Sequence, residues 1–193
     1  MIATTPYSII VAPIGDIDPE LCDSICKGIV QAFGFPCEIK PLLKDLTFAF
    51  NAERLQYHST PILEKLAALI PASAIKVIAV TQVDLFIPIL THVYGEAQLG
   101  GKTCIISTCR LAEKNSLADP HRILICRAIK EAIHELGHTF NLRHCRERSC
   151  IMHYCRCIKD VDGKSEHICR YCTVMLHDEI KRLCRQAYIV PEL

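Results

Sequence analysis

The chain has no tryptophan, only 3 methionines and 6% aromatic residues among 193 positions, and its net charge is +1. So small a basic excess with so few aromatics argues against nucleic acid as a partner. No apolar run is long enough to span a bilayer, and the opening Met-Ile-Ala-Thr-Thr-Pro has neither the basic start nor the apolar core of a secretory signal. The expectation is therefore a cytoplasmic chain without a membrane partner, with a monomer as the simplest state. No internal repeat or low-complexity segment interrupts it. Half of the residues are apolar, and a chain of this length can bury about 70% of its extended surface, so one domain with a large core is expected.

The chemistry is concentrated between His134 and Cys145, in HELGHTFNLRHC. On a helix His134 and His138 lie four residues apart on one face and can grip a single ion, with Glu135 beside it. Zinc held by three protein ligands keeps a position for water, whose pKa falls to about 7, and a neighbouring carboxylate can take the water's proton. That is the chemistry of amide hydrolysis. His-Glu-x-x-His arises by chance in about one shuffled chain of this composition in 40, and with the third histidine in about one in 800, so the three together carry weight that the pair does not. A straight helix would place His144 about 15 Å along the axis from His134, beyond any shared ion. The helix must stop and double back, and Asn141 tolerates the left-handed backbone that a reversal needs.

This stretch resembles the metzincin metalloproteases, whose pattern is HExxHxxGxxH followed by a methionine turn; Asn141 stands where they carry glycine. The resemblance implies His134, His138 and His144 as zinc ligands and Glu135 as general base. It makes Met152 the turn methionine, against the alternative of an ordinary buried one. Tyr154 follows two residues later, as in the astacin-like branch, where such a tyrosine reaches the zinc or the oxyanion.

Thirteen cysteines narrow the family. Cys145 and Cys150 form C-x4-C, and Cys169 and Cys172 form C-x2-C, spacings that can wrap a tetrahedral structural zinc with no place for water. HExxHxxGxxHC-x4-C-x-M with a distal CxxC looks like an archaemetzincin. Arg54-Leu55-Gln56-Tyr57, Val83-Asp84-Leu85-Phe86 and Tyr94-Gly95-Glu96-Ala97 extend the resemblance over nearly the full chain. Cys155 and Cys157 are rival ligands that the family pattern does not require. Disulfides are the competing account of the cysteines, less expected without a secretory signal except in a hyperthermophile, where intracellular disulfides occur. Cys22, Cys26, Cys37, Cys104, Cys109, Cys126 and Cys184 read as small buried hydrophobes.

The expected fold class is α/β: a metzincin-like mixed twisted sheet with an antiparallel edge strand, a long active-site helix and a small C-terminal subdomain with a zinc knuckle. Residues 1–193 form one metallopeptidase domain, with 1–141 holding sheet and helix and 142–193 holding the third histidine, the methionine turn and the four cysteines. Tyr7 to Ala12, Pro36 to Lys40 and Ile75 to Val80 read as strands. Asp18-Pro19 and Asp119-Pro120 each start a helix, the first closed by Gly34 and the second running to Phe140. Val93 to Leu99 and Cys104 to Thr108 read as a hairpin around Gly100-Gly101. Either this closes the sheet or, as in metzincins, it lies above the active-site helix and pairs with extended substrate. The Cys169-Arg170-Tyr171-Cys172 knuckle opens a final helix with Val174, Ile180, Leu183 and Cys184 on one side.

Charge is uneven: residues 1–101 carry 6 basic and 10 acidic side chains, while 102–193 carry 16 and 11. Arg143, Arg146, Arg148 and Arg156 cluster beyond the histidines, either as solvated surface or as a rim for acidic substrate groups. The leading expectation is a zinc metallopeptidase that acts on peptide or protein with two zinc ions, one catalytic and one structural. The alternative is a non-catalytic zinc-bearing peptide-binding module. Endopeptidase and aminopeptidase activity both stay open.

Overall fold

Strands form where apolar runs can be buried on both faces, and helices where the apolar period is near 3.6, in a computed structural model that describes residues 7–112 and 119–187. The elements in chain order are β1 (Ser8–Ile14), α1 (Pro19–Phe33), β2 (Cys37–Ile39), β3 (Phe50–Asn51), β4 (Gln56–His58), α2 (Ser59–Ala67), β5 (Ala74–Thr81), β6 (Leu85–Phe86), β7 (Gly95–Ala97), β8 (Thr103–Ser107), α3 (Pro120–Thr139), α4 (Ile158–Gly163) and α5 (Arg170–Ala187). The first six residues, read above for a leader, lie outside the described residues.

The main sheet has the order β2-β1-β5-β8-β7 and is parallel except for β7, which runs antiparallel to β8 with Gly95 opposite Ile106 and Ala97 opposite Cys104. This is the mixed sheet with an antiparallel edge that the sequence leads one to expect. One face carries Ile9, Val11, Ile78, Val80 and Ile106 against α1, α3 and the start of α5; the other carries Ile10, Val77, Ala79 and Ile105 against α2. Two of the three upstream segments, around Tyr57 and Leu85, meet in a second small sheet, β3-β4-β6, where Tyr57 pairs with Leu85 and His58 with Phe86, while the third forms β7. No helix of the described residues is long and apolar enough to cross a membrane.

The helix starts follow local chemistry. Asp18 accepts from the Glu20 amide at 2.9 Å and Asp119 from the His121 amide at 3.0 Å, each with proline just after the cap. Gly34 closes α1 at φ 75°, its N–H bonded to Val30 O. On α3 Ala128, Ala132, Ile133 and Leu136 are buried, whereas Ile123, Leu124 and Ile129 are only partly covered. Ile129 instead packs on Gly28 of α1, where a Cβ would sit 2.8 Å from its Cγ2, so the glycine allows the two helices to approach. In α5 Leu176 is buried and Val174 exposed.

Cys26 and Cys37 are not two separate buried hydrophobes but a disulfide, with Cα atoms 5.4 Å apart. The Gly34 turn folds β2 back along α1, and that brings two residues 11 apart within bridging distance. Cys109 is exposed rather than buried, and Cys126 and Cys184 are half-buried.

Candidate metal centre and cleft

Two hydrogen bonds turn the end of α3. Asn141 N–H bonds His138 O at 2.9 Å and Leu142 N–H bonds Gly137 O at 3.0 Å, with Asn141 at φ 62°. These are the paired bonds of a Schellman cap with asparagine in the left-handed position, and they satisfy carbonyls that the helix end would otherwise leave open. The chain then returns over its last turn. Gly137 is required below: a Cβ there would strike the Met152 sulfur and lie 3.6 Å from Leu142 Cδ1. Met152 is fully buried, its sulfur against Gly137 of α3.

The reversal gathers His134, His138 and His144, whose ligating nitrogens all lie within 4.8 Å of one another. His134 Nδ1 donates to Ile151 O at 2.9 Å and His138 Nδ1 donates to Leu142 O at 2.7 Å. A carbonyl only accepts, so the ring proton belongs on Nδ1 and each Nε2 is a bare lone pair. These two Nε2 atoms face each other at 3.1 Å. Burial holds His134 well below the usual histidine pKa, with the Lys164 ammonium next in effect, and it lowers His138 and His144 as well. The rings are therefore neutral, which is the form a metal needs. Tyr154 stands edge-on to His144 with ring centroids 5.0 Å apart.

Glu135 is buried beside this cluster. Burial first, and the Glu131 carboxylate second, raise its pKa well above the ordinary value, opposed by Lys164. Edge strand β7 passes directly over it: a Cβ on Gly95 would come within 2.6 Å of Glu135 Cγ and 2.7 Å of Ile105 O. The space between β7 and the histidines is a cleft of about 360 Å³, bordered by Tyr94, Gly95, Glu135, His144, Tyr154 and Lys164.

Cys145, Cys150, Cys169 and Cys172 form the second cluster, with their sulfurs within 4.8 Å of one another. Backbone amides already turn toward it: Cys169 N–H to Cys150 Sγ at 3.3 Å and Glu147 N–H to Cys145 Sγ at 3.4 Å. Burial pushes the Cys150 and Cys172 thiols up, so these two would need a cation to persist as thiolates. The rivals fall outside: Cys155 lines the cleft and Cys157 is exposed. The clusters are joined by backbone. Cys145 N–H bonds Met152 O at 2.9 Å, and His153 Nδ1 donates to Cys145 O at 2.9 Å.

Two buried lysines escape sequence reasoning. Lys164 Nζ meets Glu131 Oε1 at 2.9 Å at the wall of the cleft. Glu131 stands one helical turn before Glu135, so its half of the pair has a readable signal, whereas Lys164 is 33 residues away and has none. Lys76 rises from β5 and donates to Gly101 O at 2.7 Å and Thr139 O at 2.6 Å, binding the hairpin turn to the end of α3. Gly100 N–H reinforces this contact at His138 O, 2.9 Å away.

Comparison with known proteins bears on this geometry. The model of Peptidase family M54 matches residues 42–178. The chain belongs to peptidase family M54. Among M54-type relatives it is 38% identical to the archaemetzincin of Methanocaldococcus jannaschii over 88% of this chain and 93% of that one. It is also 38% identical to that of Archaeoglobus fulgidus, over 81% and 91%. The crystal structure of archaemetzincin from Methanopyrus kandleri superposes with a TM-score of 0.82 at 27% identity, covering 94% of this chain and 99% of that one. A structure described as a zinc-dependent peptidase from Methanocorpusculum labreanum gives 0.79 at 26%, covering 88% and 100%. The M54 match includes every residue of both clusters as well as β7.

Proposed function

We propose that this M54 chain is a zinc metallopeptidase in which His134, His138 and His144 hold the catalytic ion, and Cys145, Cys150, Cys169 and Cys172 hold a structural one. The observation that carries the reading is the pair of bare Nε2 lone pairs 3.1 Å apart, an arrangement that repels itself unless a cation lies between its members. The donor sets fit: three neutral imidazoles leave an open position, while four thiolates leave none. Zinc at the histidines supplies Lewis acidity, lowering the pKa of water and drawing electron density from the scissile carbonyl.

The chain's own groups do the rest. The β7 edge receives an extended peptide through main-chain bonds, so recognition is largely independent of sequence. Glu135 takes a proton from water on its carboxylate and delivers it to the departing amine. The Tyr154 hydroxyl donates to the oxygen of the carbonyl under attack. Met152 and Gly137 form the close-packed floor that keeps the histidines in place. The bonds between Cys145, Met152 and His153 support coupling of the two sites, so Cys145→Ser weakens metal binding at both. The division at the Asn141 reversal, 1–141 and 142–193, belongs to this reading. So do a monomeric state and a cytoplasmic location; seven cysteines outside both the disulfide and the four-cysteine cluster (11 free less 4) support a reducing compartment.

Glu135→Gln tests the assignment. Expected is loss of peptide cleavage with two zinc ions per chain retained by elemental analysis. Cleavage that survives the substitution refutes the role of Glu135, and tight peptide binding with no cleavage by the wild type identifies a binding module instead. Peptides with free and blocked N-termini separate aminopeptidase from endopeptidase activity.

A further inference from the structure

The cleft does not end at Tyr154. Tyr154 and Arg156 also border a second, open hollow of about 630 Å³, whose other charged walls are Arg148, Lys159 and Asp160, with His153 between them. Arg148, Arg156 and Lys159 are exposed, and none forms a salt bridge among the described residues. The one carboxylate on the wall is already engaged: Asp160 Oδ2 accepts from the amides of Arg156 at 2.8 Å and Cys157 at 3.2 Å, which hold it as the cap of α4. On the same segment Lys164 pairs with Glu131 and Arg182 with Glu179. Here three cations outnumber the one carboxylate, Asp160, around a space that opens directly off the cleft.

We infer that this hollow is a substrate subsite that selects peptides with acidic side chains on one side of the scissile bond. The inference rests on the peptidase reading and narrows its substrate class. A peptide lying along β7 and past His144 emerges between Tyr154 and Arg156. Its next side chains then enter the hollow, where a carboxylate meets the unpaired guanidinium groups of Arg156 and Arg148 and the Lys159 ammonium. The field of three cations at the mouth of a cleft also speeds the arrival of acidic peptides. Because the hollow adjoins one end of the cleft, the preference is one-sided.

The test uses the zinc-loaded full chain and fluorogenic peptides in which Glu is placed in turn at each of about four positions on either side of the cleaved bond, each compared with Gln. Expected is an increase in kcat/KM of about 3- to 10-fold for Glu over Gln, confined to one side and shrinking toward unity at about 1 M salt. The double substitution of Arg156→Gln and Lys159→Gln removes the Glu-to-Gln ratio, and Lys159→Glu with Arg156→Glu inverts it in favour of Lys-bearing peptides. Ratios within about 2-fold at every position, equal preference on both sides, or preference that survives charge reversal overturn the inference. The same peptides are titrated onto Glu135→Gln protein, so that selectivity is read in binding even if nothing is cleaved. Absence of cleavage then counts against the peptidase reading alone. RNA binding that disappears in the same variants while the peptide ratio stays flat makes the hollow a nucleic-acid surface and overturns the inference.

Discussion

Replacing Lys76 with methionine changes how the stability of the protein depends on pH, by an amount the structure allows one to work out. Lys76 is 2% exposed, and burial lowers its pKa from 10.5 to about 8. Below pH 8 the amine is charged in both the folded and the unfolded chain, and its burial costs the same at every pH. Between pH 8 and 10.5 the folded protein has released the proton while the unfolded chain still holds it. The unfolded state then binds more protons, so stability rises with pH across this window. The fall in pKa corresponds to about 3 kcal/mol, of which about 2.5 kcal/mol is gained between pH 7 and pH 10. Lys76→Met lacks this gain. At pH 7 the variant loses its bonds to two carbonyls, each costing about 1–3 kcal/mol if left unsatisfied, but no longer buries an ammonium, so its net change is small. At pH 10 it falls behind the wild type by about 2–3 kcal/mol more. Urea unfolding of both proteins at pH 7, 8, 9 and 10 measures the difference and cancels the cysteines and tyrosines that titrate in the same range. Parallel stability curves, or a wild type that loses ground to the variant as pH rises, refute the reasoning.

Gly95→Ala places a methyl group against Glu135 Cγ and the Ile105 carbonyl oxygen, so kcat/KM falls at least about 10-fold in a peptide-cleavage assay. Gly137→Ala forces Met152 out of its bed; we expect about 1–3 kcal/mol of lost stability in urea, together with weaker zinc retention in chelator competition. Asn141→Ala puts a less tolerant residue at φ 62° and costs about 1 kcal/mol in the same unfolding assay, whereas Asn141→Gly remains close to wild type. Reducing the Cys26–Cys37 disulfide, which closes a loop of 11 residues, costs about 2–3 kcal/mol, measured as the difference between Cys26→Ser with Cys37→Ser and the oxidised wild type.

The features legible in the sequence are those whose partners lie close along the chain. Both proline-led helix starts, the Gly34 stop and the Gly100–Gly101 turn are local, and the histidine and cysteine donors are spaced so that a single helical turn or knuckle brings them near one another. The Asn141 reversal was legible for the same reason: ten residues must bend for His144 to reach His134. Contacts set by tertiary packing were not. Lys76 and Thr139 are 63 residues apart, and no local pattern marks a lysine that will point along a sheet at a helix end. α4 was missed because six residues with a single buried side chain, Val161, leave no apolar stripe to read. The disulfide was missed because Cys26 falls on the apolar stripe of α1 and so looks like any other small buried residue.

The disulfide also bears on the outer strands of the sheet. An unpaired strand invites pairing with another chain, the route by which sheets grow into aggregates. At one edge β2 is three residues long, with exposed Glu38 and Ile39, and Cys37 anchors it to α1. The opposite edge, β7, is also three residues long but lies open to the cleft. The molecule thus ties down the border it does not use and keeps both short. An extended peptide can dock on three residues and leave, whereas a lasting strand exchange between copies needs a longer run.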